Sequence, residues 1–360
     1  MRILIDIGHP AHVHYFKHFA WEMQKKGHTI FFTCREKEFE KYLLNYYGFE
    51  FKSFGKKYKS LTGKILGLIK FDIKEFFTGL KFKPDIFLSA GSIYAAHASW
   101  LLGKTHITLE DTFNFEQIKL YLPFTDVVLT GDYEHPLKSR KVIQYAGYQE
   151  LAYLHPKIFQ PDKNILKELG VSENEKYVIL RFVAWNASHD IGLKGISVEN
   201  KIKAVKEFEM FLKVFISSEI TLPKELEKYK IPISPHKMHE AIAYASLLFS
   251  ESSTMASEAA VLGVPSIFID KKGRYYTKEE QYKYNLVFNF SETLDEQLQA
   301  INQGIDLIKN NNVNEIWQLK RQKMLADKID VTAFLVWFVE NYPESFRIMK
   351  QNPHYQYNFK

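Results

Sequence analysis

Residues 247–270 read LLFSESSTMASEAAVLGVPSIFID, and this stretch decides the fold. An apolar run, Leu247–Phe249, has the length and content of a buried strand. It breaks into small hydroxyl residues at Ser250, Ser252, Ser253 and Thr254. Met255–Leu262 then reads as a helix, because alanine and leucine favour it and serine and threonine favour its N-cap. Gly263-Val264-Pro265 stops that helix, and Ser266–Asp270 starts a second apolar strand. A strand, a helix and a strand joined by short turns form a βαβ unit, which builds a parallel sheet.

The same alternation extends in both directions. Upstream, Tyr177–Phe182 and Lys213–Ser217 read as strands around a helix at Lys201–Phe211, and Met238–Ala245 is a helix before Leu247. Helical patterns dominate from Leu294 onward. In the first half, Ile3–Ile7, Thr29–Thr33, Phe49–Phe51, Ile86–Ser89, Ile107–Leu109 and Val127–Leu129 read as strands. His14–Lys26, Glu36–Tyr47 and Ala95–Leu102 read as helices, each followed by a glycine. The expected fold class is α/β, with two Rossmann-like, doubly wound parallel-sheet domains facing each other across a cleft. The expected divisions are residues 1–155, 156–335 and 336–360. The segment HPKIFQPD, with two prolines, marks the first boundary, and the last helix and tail are expected to cross back to the first domain.

Bulk properties agree with this reading. The 360 residues are 46% hydrophobic and 25% charged, an ordinary globular balance long enough for two cores. The single cysteine, Cys34, allows no internal disulfide and no cysteine metal cluster, as expected of a reducing cytoplasm. A strand follows Met1 directly, so no signal peptide is expected, and no apolar run approaches the roughly 18–20 residues of a membrane span. The net charge of +6 is uneven. Residues 1–150 hold 21 Lys+Arg against 16 Asp+Glu, and most of that surplus lies in residues 52–83, with nine lysines and two acids. Ile65, Leu66, Leu68, Ile69, Ile73, Phe76, Phe77 and Leu80 recur there at near-helical spacing. Such a helix either turns its apolar face to the core and solvates its lysines, or docks on an anionic membrane surface. No recognition motif accompanies the charge, so nucleic acid is not an expected partner. The expected location is the cytoplasm, on the inner membrane face if the basic helix docks.

In open α/β sheets ligands bind beyond the carboxyl ends of the strands, so the loops there are the candidates for chemistry. The opening strand runs into Gly8-His9-Pro10-Ala11-His12-Val13-His14. Three histidines suggest a metal, but i and i+2 positions diverge on a helix and no carboxylate spacing accompanies them. His12, at a helix start, suits proton transfer or donation to a phosphate; the alternative is a capping or core histidine. In the second half, the hydroxyls of Ser252, Ser253 and Thr254 and the free N–H groups of the following helix make an anion site suited to a diphosphate. Glu258 lies where a carboxylate could accept both ribose hydroxyls of a nucleotide placed there. The alternative is an ordinary cap cluster with Glu258 solvated. Glu110 and Asp111 follow the strand at Leu109 and are candidates for a general base, or else a helix cap and a solvated acid.

The segment Ser257-Glu258, four residues, Gly263, one residue, Pro265 and an apolar strand resembles the donor-binding element of glycosyltransferase-B enzymes. It is most similar to the N-acetylglucosaminyltransferase of peptidoglycan synthesis and to UDP-N-acetylglucosamine 2-epimerases. Over roughly residues 1–343 the chain also resembles a microbial family known as domain of unknown function 354, through GHPAHVHYFK, GYQELAYLHP, ILRFVAWNASHD, TMASEAAVLG and DKIDVTAFLVWFVENYP. The resemblance implies an acceptor-side first domain and a donor-binding second domain. It matches His12 to the transferase histidine, sets Arg181 against the donor diphosphate, puts Trp185, Asn186 and His189 in the same loop, and places His236 near the base, with Lys237 beside it or merely solvated.

The leading expectation is metal-independent sugar transfer from a nucleotide-diphosphate donor, whose base the resemblance implies to be uridine, to a sugar or lipid-linked sugar in cell-envelope or surface polysaccharide synthesis. Glu110, Asp111 or His12 would be the base, and Arg181, the serines and the helix dipole would stabilise the departing diphosphate. No cofactor is expected. A 2-epimerase is the alternative, with Glu116 as second carboxylate; against it, Gly91-Ser92 stands where epimerases carry an aspartate, and the spacing from Glu110 to Glu116 is too short. A non-catalytic nucleotide-sugar-binding protein is the third reading.

Overall fold

The computed structural model describes residues 1–56, 61–184 and 195–360, without the side chains of residues 61, 62, 64 and 65. Trp185, Asn186 and His189, expected in one loop with Arg181, lie outside the described residues. The chain divides into two compact units, Met1–Ile158 with Ile329–Lys360, and Phe159–Lys328.

The first unit contains β1 (Arg2–Ile7), α1 (Pro10–Lys25), β2 (Thr29–Glu36), α2 (Glu40–Tyr46), β3 (Phe51–Lys56), α3 (Leu61–Phe82), β4 (Ile86–Ala90), α4 (Ile93–Leu101), β5 (Thr105–Leu109), α5 (Phe115–Tyr121), β6 (Val127–Gly131), β7 (Val142–Tyr145) and α6 (Leu151–Leu154). Its seven strands are ordered β3-β2-β1-β4-β5-β6-β7, and every pair is parallel. The order reverses between β1 and β4, which makes their carboxyl ends the switch point. The helices divide between the two faces: α1 packs with α2 and α6, while α3 packs with α4 and α4 with α5. Ile3, Leu4, Ile5, Phe87 and Leu88 are buried on a sheet covered on both sides, which is why these strands read as apolar runs rather than alternating ones.

The second unit contains α7 (Ile165–Glu168), β8 (Tyr177–Phe182), α8 (Val198–Glu209), β9 (Lys213–Ser218), α9 (Met238–Ala243), β10 (Leu247–Ser250), α10 (Ser253–Leu262), β11 (Ser266–Ile269), α11 (Tyr275–Tyr282), β12 (Val287–Phe290), α12 (Leu294–Lys309) and α13 (Val313–Asp327). Its five parallel strands are ordered β12-β11-β10-β8-β9, with the switch point between β8 and β10. Two more helices, α14 (Val331–Glu340) and α15 (Glu344–Gln351), belong to the first unit, where α14 packs on α1 and α6. Residue 335, the expected domain end, thus falls inside α14.

Several boundaries differ from those read in the sequence. The first helix begins at Pro10, four residues earlier than expected, because His9 caps it and proline at the first helical position presets φ. The helix expected at Glu36–Tyr47 begins only at Glu40, since β2 continues to Glu36 against β3. The edge strands β7 and β12 escaped the reading; they have four residues each, too few for a clear period. Among the described residues no helix is long and apolar enough to cross a membrane.

Candidate functional site

At the carboxyl edge of the first sheet, the turn after β1 is held by its own histidines. The His9 side chain caps α1, its Nδ1 accepting from the Ala11 N–H at 3.2 Å. His12 Nδ1 accepts from the Gly8 N–H at 3.2 Å. That bond places the proton of a neutral His12 ring on Nε2, so His12 presents a donor to this edge rather than a base. His14 is buried and stacks on Tyr153 at 5.5 Å. Among the described residues no three His, Cys, Asp or Glu side chains group as a metal site.

Beneath this turn lies a charged cluster that the sequence reading missed. Asp6, fully buried in β1, accepts from Arg35 Nη1 at 2.5 Å, from Thr33 Oγ1 at 2.8 Å and from the Ser92 hydroxyl. Burial would raise the Asp6 pKa, but the Arg35 charge and these three donors hold it below the usual value. Glu75, buried on α3 with its Oε1 3.1 Å from Thr33 Oγ1, has its pKa driven well up by burial and by neighbouring Asp6, which outweigh Arg35 and Thr33 there. Tyr94 covers the Arg35 guanidinium at 4.6 Å. A side chain at Gly8 would meet Arg35 Nη2 at 3.3 Å, so the turn lies almost directly on the guanidinium. The signal for this cluster was present: Asp6 is a lone charge inside an apolar strand.

Glu110 and Asp111 follow β5 and divide their work. Glu110 is buried; its Oε1 accepts from the N–H groups of Thr112 (2.9 Å) and Phe113 (2.7 Å), and its Oε2 from Tyr121 (2.5 Å). Burial pushes its pKa up to about 7 despite these donors. Both oxygens are thus occupied in shaping the 111–113 turn. Asp111 is half-buried, and its Oδ2 accepts a long bond from Tyr15 at 3.5 Å. Tyr15 stacks on His12 at 5.7 Å, so one tyrosine lies against both His12 and Asp111. Gly91 closes the group: its positive φ of 65° opens the turn after β4, and Gln117 donates to its carbonyl at 2.5 Å. Ser92 is engaged with Asp6 rather than lining the edge.

In the second unit the quoted stretch folds as a strand, a cap and a helix. Ser252 caps α10, its hydroxyl accepting from the Met255 N–H at 3.4 Å, and Ser250 braces it through the Ser252 N–H at 2.8 Å. Ser253 and Thr254 occupy the first turn, half-buried, where backbone N–H groups lack intrahelical acceptors. The far end of α10 requires glycine: Gly263 has φ +75°, and a Cβ there would lie 2.6 Å from Gln318 Nε2 of α13. Glu258 is 4% exposed and its Oε1 pairs with His239 Nε2 of α9 at 2.9 Å, so the solvated alternative is wrong. A carboxylate on the interior side of a short alanine-rich helix is covered by its neighbour α9.

Arg181, in β8, donates to Ser217 Oγ at 2.9 Å and pairs with Glu219. That ion pair is largely buried, while Arg181 Nε, a buried atom, has no hydrogen-bond partner among the described residues. His236 is half-buried in the 3-10 turn Pro235–Lys237 ahead of α9, and Lys237 pairs with Glu168 instead of being merely solvated. The reading also missed Glu251, inside the quoted stretch. It is buried at the end of β10 and accepts from the N–H groups of Val183 (2.9 Å) and Ile196 (2.6 Å), with Lys201 Nζ 3.3 Å away. Its position one residue beyond an apolar strand was the available signal.

The family described as "Protein of unknown function (DUF354)" matches residues 1–342. The chain belongs to this family. A relative, an uncharacterized protein of Methanocaldococcus jannaschii, is 25% identical over 279 residues, covering 74% of this chain and 80% of the relative. Among solved structures, the UDP-GlcNAc 2-epimerase of Methanocaldococcus jannaschii in complex with UDP-GlcNAc and UDP is similar, with a TM-score of 0.63, 13% identity and coverage of 88% of this chain and 98% of that one. A spinosyn rhamnosyltransferase complexed with spinosyn aglycone gives a TM-score of 0.58, 12% identity and coverage of 95% and 100%. The fold is therefore the two-domain glycosyltransferase-B type shared by both.

Proposed function

We propose that the chain is a metal-independent glycosyltransferase that takes its sugar from a nucleotide diphosphate, with UDP as the leaving group. The observation that carries this reading is the α10 element: a capped helix start at the switch point of the second sheet, with the carboxylate of Glu258 in its second turn. A diphosphate at that start would meet the first-turn N–H groups, the hydroxyls of Ser252, Ser253 and Thr254, and the positive end of the helix dipole. Glu258 would take the ribose hydroxyls, exchanging or sharing its bond to His239. Arg181 would lend its charge to the diphosphate, sharing it with Glu219, and His236 would adjoin the base. That one structural neighbour is a complex with UDP-GlcNAc and UDP supports a nucleotide sugar as ligand.

In the first unit, Asp111 is the general base of this reading. Glu110 is buried with both oxygens occupied, and His12 has its Nδ1 lone pair taken by Gly8, whereas Asp111 is the more exposed carboxylate; it would take the acceptor proton by exchanging or sharing the bonds it accepts from Thr112 Oγ1 at 2.9 Å and Tyr15. His12 Nε2–H would donate to an acceptor or phosphate oxygen. The acceptor is a sugar, lipid-linked if the enzyme works at an anionic membrane face in cell-envelope polysaccharide synthesis.

The test is product analysis with UDP-N-acetylglucosamine as donor and a membrane lipid extract as acceptor. Transfer predicts UDP release that needs the extract and falls about a hundredfold or more in Asp111→Asn. Release of a 2-epimerised free sugar without any acceptor would replace transfer with the epimerase reading. Binding of the nucleotide sugar with no product under either condition would make the protein a non-catalytic binder.

A further inference from the structure

The helix α3 carries apolar side chains on its outer side as well as its inner one. Its buried positions are Gly67, Phe71, Glu75, Thr78 and Gly79, while Leu66, Ile69, Ile73, Phe77 and Leu80 face solvent at 50–66% exposure. Spacings of three and four residues place these five on one stripe of the helix. The remaining exposed positions described on α3 are Lys70 and Lys81, so its outer surface carries large apolar groups and lysines and no acid. Its two acids are turned away: Glu75 is buried, and Asp72 pairs with His97 of α4 at 3.1 Å. The neighbouring α4 adds Trp100 and Leu101, both about 60% exposed.

Core packing does not explain this stripe. The inner face already supplies its own core contacts: Phe71 is buried, Phe76 and Phe82 pack against the cluster of Leu4, Phe87, Ala95 and Ala98, and at Gly79 the helix lies so close that a Cβ would fall 2.8 Å from Phe87 and 2.7 Å from Leu102. The five stripe residues are left outside, and contiguous exposed apolar groups of this kind mark an interaction surface.

We propose that the α3 stripe, with Trp100 and Leu101, docks this protein on an anionic lipid bilayer, α3 lying in the plane of the headgroups. A helix with Leu, Ile and Phe on one side and lysines beside them suits the boundary between acyl chains and negatively charged headgroups, and tryptophan favours that depth. A second copy of the chain fits less well. Antiparallel pairing of α3 with itself, centred between Ile73 and Phe77, sets Lys70 of one helix opposite Lys81 of the other, and the exposed positions offer no acid to meet either. A bilayer containing anionic lipid satisfies both the apolar stripe and its charge.

The consequence for the acceptor rests on the transferase reading; the docking does not. As the crossover between parallel strands β3 and β4, α3 begins at the carboxyl edge of the sheet, the edge that carries Gly91 and Asp111. A docked α3 would bring that edge toward the membrane surface, where a lipid-linked sugar is presented.

The test is flotation of the full chain with vesicles of phosphatidylcholine alone and of phosphatidylcholine mixed with phosphatidylglycerol. The chain should float with the mixed vesicles and bind them about tenfold or more tightly than the neutral ones. Ile73→Glu with Phe77→Glu should abolish flotation, and Lys70→Glu with Lys81→Glu should remove the preference for anionic lipid. Circular dichroism and melting should stay at the parent values, because all four side chains are exposed. Failure of the folded parent to float, or flotation unchanged in both variants, would overturn the proposal. So would a dimer in sedimentation that Ile73→Glu with Phe77→Glu dissociates, without any vesicle binding. Nucleotide binding measured on the same variants should be unchanged, which separates failure of docking from failure of the donor-site reading.

Discussion

Both sheets place a buried carboxylate at the switch point, and the two are held in different ways. Asp6 of the first sheet faces an arginine and two hydroxyls, Thr33 and Ser92, and its pKa is lowered. Glu251 of the second faces a lysine and two backbone N–H groups, and its pKa is raised, burial outweighing Lys201 and both amides. Glu110 extends the series: with no cation in hydrogen-bond contact, only two amides and a phenol, it rises to about 7. In these two glutamates the amide donors favour the charged form, but burial outweighs them. At Asp6 a guanidinium, which stays charged at any ordinary pH and donates in a fixed fork, tips the balance the other way.

Removing the best-held carboxylate should cost most. Asp6→Ala strands Arg35, which is 3% exposed and cannot shed its proton, so the first unit should lose about 3–5 kcal/mol in denaturant unfolding. A loss under about 1 kcal/mol would mean that the ion pair merely offsets its own desolvation.

Glu110 comes next, and its effect depends on pH. Its folded pKa lies above the unfolded value near 4.5, so the folded state binds the proton more tightly, and the stability this contributes is lost as pH rises from about 4.5 to 7. Glu110→Gln fixes the neutral form. The parent's advantage over it should therefore shrink across that window, by on the order of 1–3 kcal/mol, when melting is followed against pH. A flat difference between parent and variant would break the series at its uncharged end.

Glu251→Gln should cost about 1–2 kcal/mol near neutral pH, because the amide keeps one acceptor oxygen for the Val183 or Ile196 N–H group but loses the charge beside Lys201. Its cost should grow as pH falls toward 4.5, since a raised folded pKa adds stability on the acid side. Asp6→Asn should show the opposite slope: the lowered folded pKa contributes stability above the unfolded value near 3.8, and that contribution disappears below it. Melting curves of the two variants over the same pH range compare the slopes directly, and slopes of the same sign would contradict the contrast.

The fold was legible because its evidence is periodic. Apolar runs punctuated by glycine and proline fix strands and helices locally, and the stretch from Leu247 to Asp270 folds as read. The edge strands β7 and β12 were not legible, since four residues on the rim of a sheet carry almost no pattern. The place of a candidate residue was legible where it followed a strand in an obvious turn, as with Glu110 and Ser252, but partnership was not. Nothing in the local sequence tells that Glu258 meets His239, that Arg181 meets Glu219, or that Arg35 and Asp6 converge, because each pair joins separate elements. The apolar spacing of α3 was legible as well, whereas which of its apolar sides turns inward was not, because that depends on Phe71, Phe76 and the close approach of Gly79 to Phe87 and Leu102 on separate elements.

The account turns on α10 as the nucleotide site, and calorimetric titration of UDP into the parent and Glu258→Gln tests it most directly. Glutamine keeps the size of the side chain and a bond to His239 while removing the charge. The account predicts that UDP binds the parent and that the variant weakens binding by roughly 1–3 kcal/mol, with the melting temperature little changed. No binding by the folded parent, or equal affinity in both proteins, would contradict it and leave the likeness to nucleotide-sugar enzymes one of fold alone.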